Sequence, residues 1–575
     1  MARHLSTVAV IGLGTTGSAI AGQLVGSGRR VIAVDTDPAA IDGARRRIGE
    51  RGPGGIEFTG RLADAAEAEL VVEAVPERAA VKRAVLGEAV ALCGPDTVFV
   101  TTSGGLPVTE LAFEAGCPDR LVGLHLFLPD GEAKELTVEL VPTPLTVDTV
   151  FDDVRELVRG LGWHPVATAD RAGLIGSALT LAYLNDAVAM HEQRYATRDS
   201  IDTAMSLGCG LRSGPLAQLD ATGLDTALDT LEALHARTGD RRFLPRPSLR
   251  QMVSAGLLGR KAGRGFYSWT DGSPSPDADG AAPRQGQARE VRSIGVVGSG
   301  TMAAGIAEVC ARSGHPTVLV ARSDERAGSA RAAVDRSLSR GVQRGKLTAD
   351  ARGAAMDRLT CASDPQALAG CDLVVEAVAE DIDVKRRIFG ELDRVCRPGA
   401  VLTTSTSSLP VVECARATGR PEDVAGMHFF NPAPVMKLIE VSHTVLTSPD
   451  VTATVHATAR NLGKRTVGCR DRIGFIVNAL LFPYLNHAVT LLQECRGTTA
   501  DIDMIMSNGN VFPMGPFQLL DVVGLDVSLA IQRSLYGTFG EPWLEPAPRL
   551  EQLVAAGYTG RKSGKGFRTP ARSTL

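Results

Sequence analysis

The hydrophobic positions follow two periods, and each period occupies its own parts of the chain. Short apolar runs such as "TVAVIG", "RVIAVD", "LVVEAV" and "TVFVTT" alternate with helical stretches early in the sequence. This alternation is typical of a parallel sheet covered by helices. From about residue 171, and again from about residue 472, longer stretches such as "GFIVNALLFPYLNHAVTLLQE" keep an apolar period of about 3.6 residues and predict helices only.

The sequence contains an internal repeat. Equivalent positions recur at three separations: 286 residues for Gly12 and Gly298, 303 for His125 and His428, and 301 for Glu139 and Glu440. The separation is constant within each of three stretches and changes twice along the chain. This pattern indicates a tandem duplication with two insertions. The second copy carries 17 extra residues between Ala321 and Glu376, and the first carries two extra between its histidine and its glutamate.

The repeat and the two periods together predict the domain organisation. We expect an α/β plus all-α fold, with two tandem copies of a Rossmann-type parallel-sheet domain, each followed by a helical domain. Between the copies, a stretch rich in Gly, Pro and Ala without hydrophobic period predicts a flexible linker. The predicted segments are an NAD-binding domain (1–170), a helical domain (171–269), the linker (270–290), an NAD(P)-binding domain (291–471) and a helical domain (472–575).

The first glycine-rich loop, "VAVIGLGTTGSAIA", places Gly12, Gly14 and Gly17 between an apolar strand and a helix. Such glycines permit a tight turn and let the backbone approach a pyrophosphate closely. Asp35 ends the next strand, where a carboxylate can bind a ribose 2′-hydroxyl. This pattern predicts an NAD(H) site in the first copy. The alternative is a tight strand–helix turn that holds no ligand.

The second glycine-rich loop has the G-x-G-x-x-A form, with Gly298, Gly300 and Ala303. Its acid is missing, because Ala321 stands where Asp35 stood and Arg322 follows. Loss of the carboxylate removes repulsion against a 2′-phosphate, and an arginine can pair with that phosphate. We therefore predict a preference for NADP(H) in the second copy. In the alternative, Arg322 is solvated and Asp324 takes over the ribose contact.

Six motifs of the second half point to a known family when they are taken together. They are "GSGTMAAGIAEVCARSGH", "DLVVEAVAEDIDVKRRIF", "TSTSSLPV", "GMHFFNPAPVMKLIEV", "DRIGFIVNAL" and "GRKSGKGF". This half, residues 291–570, resembles the short-chain L-3-hydroxyacyl-CoA dehydrogenase family, which includes bacterial 3-hydroxybutyryl-CoA dehydrogenases. The first copy resembles the same family more loosely. The resemblance implies an oxidoreductase that interconverts a 3-hydroxyacyl-CoA and a 3-oxoacyl-CoA with a nicotinamide cofactor.

The chemistry requires a base, because hydride transfer from a hydroxyl-bearing carbon must be accompanied by loss of the hydroxyl proton. His428 is the candidate base, and Glu440 is the candidate carboxylate for its other ring nitrogen. The resemblance implies that Ser407 and Asn478 bind the reacting oxygen. Taken alone, a histidine beside two phenylalanines is more typical of a core, but the four residues at family spacing favour catalysis. The family positions near the nicotinamide ribose are Glu380 and Lys385.

The extra segment of the second copy, "DRSLSRGVQRGKLTADARGAAMDRL", resembles the family's helical hairpin that helps to hold coenzyme A. The resemblance puts Ser337 and Arg344 near positions that contact CoA, with Lys346 close by. Basic side chains suit a phosphorylated nucleotide. The alternative is a solvated helical hairpin without a ligand.

The first copy departs from the family at several of these positions. Gly104 stands in place of Ser407, Ser177 in place of Asn478, and Leu128 in place of Asn431. His125 and Glu139 remain, although the two-residue insertion could misplace the glutamate, for which Glu135 could substitute. We therefore expect an inactive or strongly impaired first site. Because His125 and Glu139 are retained, the alternative is that the first site acts on a different, smaller substrate.

The damaged first copy raises the question of what it does. In this family the helical domains commonly pair in a dimer, and two linked copies have a high effective concentration for each other. We expect the two copies to form an intramolecular pseudo-dimer. Assembly of several such chains into a homo-oligomer is an alternative that the sequence does not decide. Two alternatives remain: hydride transfer on a non-CoA hydroxy acid or a carrier-protein thioester, and a first copy that acts as a nucleotide-sensing or scaffold half.

Composition narrows the partners and the compartment. A net charge of −4 gives no reason to expect nucleic acid or an anionic membrane surface. Ten cysteines without a C-x-x-C pair favour a reducing compartment and suggest no metal site. Because "MARHLSTVAVIGLG" runs directly into a strand pattern, we expect no signal peptide, and no apolar run approaches ~20 residues. We expect a cytoplasmic protein.

Overall fold

The computed structural model describes residues 3, 5–49, 55–126, 136–270, 272–274, 286–508 and 512–568. Eight strands of the first copy form one sheet: β1 (Thr7–Ile11), β2 (Arg30–Val34), β3 (Ile56–Thr59), β4 (Leu70–Glu73), β5 (Val98–Thr101), β6 (Leu121–Leu126), β7 (Thr137–Pro142) and β8 (His164–Ala167). Their spatial order is β3-β2-β1-β4-β5-β6-β7-β8. Only β6 and β7 pair antiparallel in this sheet of the described chain, so two parallel blocks meet at that hairpin.

Helices of the first copy fall into two groups. The sheet domain contains α1 (Thr15–Gly26), α2 (Pro38–Ile48), α3 (Ala79–Leu92), α4 (Val108–Glu114) and α5 (Asp148–Gly160). The helical domain contains α6 (Ile175–Glu192), α7 (Arg198–Cys209), α8 (Pro215–Thr222), α9 (Leu224–Thr238) and α10 (Pro247–Ser254). A small hairpin of β9 (Trp269–Thr270) and β10 (Ser273–Pro274) follows.

The second copy repeats this plan. Its strands are β11 (Ile294–Val297), β12 (Thr317–Val320), β13 (Leu359–Ala362), β14 (Leu373–Glu376), β15 (Val401–Thr404), β16 (Val424–Phe429), β17 (Leu438–His443) and β18 (Arg465–Arg470), in the order β13-β12-β11-β14-β15-β16-β17-β18. Its helices are α11 (Thr301–Arg312), α12 (Asp324–Gln343), α13 (Ala349–Asp357), α14 (Ile382–Val395), α15 (Val411–Ala415), α16 (Pro449–Asn461), α17 (Val477–Gln493), α18 (Thr499–Asn508), α19 (Pro516–Val523), α20 (Leu525–Phe539) and α21 (Pro548–Ala555). Short 3-10 helices span Leu62–Ala65, Arg241–Phe243, Arg260–Ala262, Pro365–Leu368, Pro421–Asp423 and Pro542–Leu544.

The continuous apolar runs are explained by burial of both faces of each central strand. In β1, Val8 and Val10 pack into one hydrophobic core, while Ala9 and Ile11 pack into another on the opposite face. A strand buried on both sides needs apolar residues at successive positions, not at alternate ones. The predicted fold class is confirmed. Across the described ranges, no helix combines the length and apolar composition that crossing a bilayer requires.

The insertion of the second copy lies between β12 and β13, where α12 and α13 form a helical hairpin. The first copy has the single shorter α2 at this place. The predicted linker is structured at both ends. Thr270 pairs with Ser273, and Arg289 forms ion pairs of 2.7 Å with both Asp423 and Asp450.

The two helical domains contact each other through the long helices α6 and α17. Tyr183 and Tyr484, which occupy equivalent positions in the two copies, meet edge to face with ring centroids 6.2 Å apart. Arg496 reaches across to donate to the carbonyls of Ala172 and Gly173, just before α6. Helix α7 of the first copy packs against β17 and β18, and α18 of the second copy packs against β7. The contacts between the copies are therefore reciprocal.

Candidate active site

The second glycine-rich loop joins β11 to α11. Gly298 has a φ of +133°, and a Cβ atom there would lie 2.5 Å from the carbonyl oxygen of Ala377 and 3.0 Å from the Cβ of Ala303. By contrast, a Cβ atom at Gly300 would meet no atom of the described chain within 4 Å. The loop is therefore tight on its sheet side and open above Gly300. That open backbone at a helix N-terminus fits the pyrophosphate of a dinucleotide.

The first loop keeps the same form and its acid. Asp35 accepts a hydrogen bond from the N–H of Leu13 at 2.7 Å, and Arg47 donates to the Leu13 carbonyl at 2.9 Å. A cavity of about 1820 Å³ runs from this loop to His125 and is lined by Asp35 and Ser177, among others. The first copy thus retains a cleft that joins its glycine-rich loop to its histidine.

The residues after β12 decide the electrostatics of the second nucleotide pocket. Ala321 is buried, whereas Arg322 is exposed. Ser323 caps α12 by accepting the N–H of Arg326, and Asp324 accepts the hydroxyl of Ser363. Arg322 is therefore placed at the strand end with an accessible guanidinium, while the Asp324 carboxylate already has a partner.

The paired side chains His428 and Glu440 face each other across the antiparallel strands β16 and β17. Nδ1 of His428 lies 2.8 Å from Oε2 of Glu440. The other oxygen, Oε1, accepts the N–H groups of Ile476 and Val477 at 3.0 and 2.9 Å, at the start of α17. The carboxylate is thus fixed by a helix N-terminus, and it engages Nδ1 of the histidine on the side of the ring away from Nε2.

Aromatic rings enclose this histidine, which is only 6% exposed. The ring centroids of Phe430 and Phe475 lie 4.5 and 5.6 Å from that of His428. Phe475 has a φ of +44°, in the left-handed region that costs a non-glycine residue roughly 1 kcal/mol or more. Strained residues cluster at functional sites. Sequence reasoning missed Phe475, since a left-handed phenylalanine has no sequence signature.

Glu380, Ser407 and Asn478 lie together in one hydrogen-bond network. Glu380 Oε1 accepts the N–H of Ser407 at 2.7 Å and its hydroxyl at 3.2 Å. Asn478 donates its amide to the Ser407 carbonyl at 3.2 Å. Burial opposes ionisation of Glu380, but the charge of Lys385 and the hydrogen-bond donors outweigh it, so the pKa of this carboxyl is lowered. The structure thus brings the predicted oxygen-binding pair together beside an ionised carboxylate.

Lys385 lies fully inside the protein. Its ammonium donates to both oxygens of Glu376 at 2.9 Å and lies 3.6 Å from Glu380. The first copy keeps the same buried pair, with Lys82 donating to Glu73 at 2.9 Å. The observed contacts of Lys385 tie the end of β14 to the Glu380 network, and a direct contact with a ribose stays a prediction.

The predicted CoA-binding residues lie on the hairpin of α12 and α13. Ser337 is half-buried on α12, Arg344 is the residue that caps the end of α12, and Lys346 follows in the turn. Arg344 and Lys346 are exposed. The hairpin therefore presents two basic side chains to solvent at its tip, where an anionic group could approach.

In the first copy, the two-residue insertion does not displace the glutamate from the histidine. Glu139 lies directly opposite His125 across β6 and β7, in the register that His428 and Glu440 have. Its oxygens accept the N–H groups of Ile175 and Gly176 at 2.9 Å each, and Oε1 lies 3.5 Å from His125 Nδ1. The insertion leaves the pairing intact, so no substitute is needed. The proposed substitute Glu135, like Leu128, lies outside the described residues.

Comparison with known proteins gives both halves the same assignment. The family model "3-hydroxyacyl-CoA dehydrogenase, NAD binding domain" matches residues 7–171 and 293–472. The model "3-hydroxyacyl-CoA dehydrogenase, C-terminal domain" matches residues 173–269 and 474–569. The chain belongs to the 3-hydroxyacyl-CoA dehydrogenase family. Each half carries both family domains, which confirms the predicted tandem duplication.

Individual members of the 3-hydroxyacyl-CoA dehydrogenase family match about half of this chain. A 3-hydroxybutyryl-CoA dehydrogenase of Mycobacterium tuberculosis (strain ATCC 25618 / H37Rv) is 43% identical over 281 residues, 48% of this chain and 98% of that protein. The mitochondrial hydroxyacyl-coenzyme A dehydrogenase of Homo sapiens is 38% identical over 285 residues, 48% of this chain and 90% of that protein. The crystal structure of 3-hydroxybutyryl-CoA dehydrogenase from Escherichia coli K12 covers 96% of this chain and 100% of its own, with a TM-score of 0.63. At 21% identity, that likeness concerns the fold.

Proposed function

We propose that this chain interconverts (S)-3-hydroxyacyl-CoA and 3-oxoacyl-CoA, with 3-hydroxybutyryl-CoA and acetoacetyl-CoA as the best specific pair. The chemistry takes place in the second copy. The observation that carries the proposal is the contact of 2.8 Å between His428 and Glu440, next to the network of Ser407 and Asn478. Membership of the dehydrogenase family and the names of the relatives supply the substrate class.

Each protein group has a definite task in this reaction. The nicotinamide ring supplies the hydride acceptor when the dinucleotide is bound. Nε2 of His428 removes the hydroxyl proton of the substrate, and Glu440 stabilises the resulting imidazolium through Nδ1. Ser407 and Asn478 hydrogen-bond the reacting oxygen, and in the reductive direction they stabilise charge that develops there.

The second copy uses NADP(H) in preference to NAD(H) in this proposal. Its support is electrostatic, since Arg322 is exposed and Ala321 replaces the acid found in the first copy. An arginine can form paired hydrogen bonds with a 2′-phosphate, which a carboxylate would repel. The first copy keeps Asp35 beside its loop and therefore suits NAD(H). Glu380 is the proposed contact for the nicotinamide ribose, with Lys385 holding it in place.

The CoA portion of the substrate docks on the hairpin of α12 and α13 through Ser337, Arg344 and Lys346. Its support is the exposure of the two basic side chains, which suits the phosphates of CoA. The first copy has only α2 at this place. The first copy also lacks equivalents of Ser407 and Asn478. Together, these differences explain an impaired first site.

The first copy also serves as one half of an intramolecular pseudo-dimer. Support comes from equivalent residues in mutual contact, such as Tyr183 with Tyr484, and from the reciprocal packing of α7 and α18 on the opposite copies. Mutual contacts of this kind characterise two-fold interfaces. At the same interface, a Cβ atom at Gly208 would lie 2.9 Å from Val477, whose N–H binds Glu440. A bulky residue at Gly208 should therefore lower activity in the second copy.

The test is an assay of the full chain with acetoacetyl-CoA, in which oxidation of NADPH and of NADH is followed separately. We expect turnover with NADPH that His428→Ala abolishes and His125→Ala leaves unchanged. A strong preference for NADH would overturn the cofactor assignment alone. Absence of turnover with either cofactor would overturn the acyl-CoA assignment, and hydroxy acids or carrier-protein thioesters would then be tested.

A further inference from the structure

In the first copy, a serine contacts the reactive nitrogen of the histidine from the position that Asn478 occupies in the second copy. Ser177 Oγ lies 3.0 Å from Nε2 of His125, and Nδ1 of the same ring lies 3.5 Å from Glu139 Oε1. A hydroxyl and a carboxylate thus lie beside the two opposite nitrogens of one imidazole. This is the order of groups that activates a serine nucleophile.

Two substitutions relative to the second copy build this arrangement together. Ser177 replaces an asparagine, and its hydroxyl contacts the histidine. Gly104 replaces a serine, and a Cβ atom at Gly104 would lie 2.6 Å from Ser177 Oγ and 2.7 Å from His125 Nε2. The glycine is therefore required by the contact between serine and histidine. Loss of the residues equivalent to Ser407 and Asn478 would not by itself require a residue without a side chain at position 104.

The serine is also well placed to stabilise an oxyanion. It is the third residue of α6, and the N–H groups before it, of Ile175 and Gly176, are used by Glu139. Ala178 donates to Leu174, but the N–H of Ser177 donates to no group in the described part of the chain. A free N–H at the positive end of a helix is a suitable donor for a tetrahedral oxyanion.

We propose that the first copy is a nucleophilic acyl-transfer site, with Ser177 as nucleophile, His125 as base and Glu139 as the positioning residue for the imidazole. Its substrate is a small acyl thioester, a class that rests on the proposed function of the second copy. Both Ser177 and His125 line the cavity of the first copy, which gives a substrate access to them.

The reaction balances with water as the only co-reactant. Ser177 Oγ bonds to the thioester carbonyl carbon while its proton passes to His125 Nε2. The carbon–sulfur bond breaks, and the thiolate leaves with that proton as a free thiol. Water then attacks the acyl-serine ester, His125 takes one proton from the water and returns it to Ser177 Oγ, and a carboxylic acid is released.

The first measurement labels the full chain with a fluorophosphonate, which phosphonylates activated serines irrespective of acyl preference. We expect one adduct on Ser177 by peptide mass spectrometry. It should be absent in Ser177→Ala, and at least about 100-fold slower in His125→Asn, because base catalysis is removed. Gly104→Ala keeps all three groups but crowds the serine and should also slow labelling. Ser213→Ala, at another serine that lines the cavity, is the matched control and should label normally.

The second measurement follows release of CoA from acetoacetyl-CoA by chromatography, without any nicotinamide cofactor and in the His428→Asn background. Release that Ser177→Ala abolishes supports the thioester substrate. Unfolding curves of Ser177→Ala and the parent should coincide, so that loss of reaction is not loss of fold. Absence of a Ser177 adduct overturns the nucleophile, whatever the dehydrogenase assay gives. Labelling without CoA release overturns only the thioester class, which depends on the proposed function.

Discussion

His428 Nδ1 lies 2.8 Å from Glu440 Oε2, whereas the equivalent atoms of His125 and Glu139 are 3.5 Å apart. The difference follows from how each carboxylate meets its helix. In the second copy, one oxygen of Glu440 accepts both helix N–H groups and leaves the other oxygen for the histidine. In the first copy, each oxygen of Glu139 accepts one N–H, so Oε1 faces His125 Nδ1 while it also accepts the N–H of Gly176.

Replacement of the base should separate the copies kinetically. We expect His428→Asn to lower kcat of acetoacetyl-CoA reduction by about 10²- to 10⁴-fold, because proton transfer to the reacting oxygen loses its donor. The matched variant His125→Asn should leave that kcat within about twofold, since the proposal assigns this reaction to the second site. Steady-state kinetics on both variants provides the measurement. Equal losses would contradict the assignment of the chemistry to the second copy.

Cofactor choice should respond to a single charge at the end of β12. We expect Ala321→Asp to lower kcat/KM for NADPH about tenfold or more, because the new carboxylate repels a 2′-phosphate. The value for NADH should rise or stay constant, since a ribose 2′-hydroxyl can donate to that carboxylate. Asp35→Ala in the first copy serves as the control and should change neither value. A parallel fall with both cofactors would indicate general damage to the pocket.

Contact between the copies should contribute to stability through Arg496. Its guanidinium donates to two carbonyls of the opposite copy, and Arg496→Ala leaves these acceptors without that donor. We expect a loss of about 1–3 kcal/mol in the free energy of unfolding, measured by urea denaturation. Arg549→Ala removes an exposed arginine and should cost far less. Similar losses for the two variants would show that the contact across the interface contributes nothing measurable.

Two equivalent buried carboxylates should shape the dependence of stability on pH. Asp202 and Asp503 each accept the first N–H groups of the next helix, and burial raises the pKa of each to about 6 from 3.8. Because the folded state binds these protons more tightly, their contribution to stability is complete below about pH 4. It is lost as the pH rises through about 6.

The measurement compares unfolding free energies between pH 4 and pH 7. A shift of this size in one group corresponds to about 3 kcal/mol, and Asp503→Asn should remove that part of the slope. Asp383→Asn, at a carboxylate whose side chain is 81% exposed, should leave the slope unchanged. An unchanged slope in Asp503→Asn would show that this carboxylate does not titrate between the two states.

Local sequence determined the fold class and most of the candidate residues. Apolar runs and glycine spacing are local properties, so they indicated two Rossmann-type sheets, two helical domains and the position of the extra hairpin. The separation of twelve residues between His428 and Glu440, with apolar runs on both sides, indicated the pair before its geometry was known. The sequence alone also showed that the first copy lacks equivalents of Ser407 and Asn478.

The tertiary structure determined the contacts that residue spacing along the sequence does not specify. The register of β6 and β7 keeps Glu139 opposite His125 despite the insertion, because backbone pairing across the sheet sets that relationship, not distance along the chain. The contact of Ser177 with His125 arises where the start of α6 meets the sheet, 52 residues away in sequence. The packing of α6 on α17 likewise joins segments from opposite halves. Such contacts depend on where distant elements meet in space, which no local pattern in the sequence encodes.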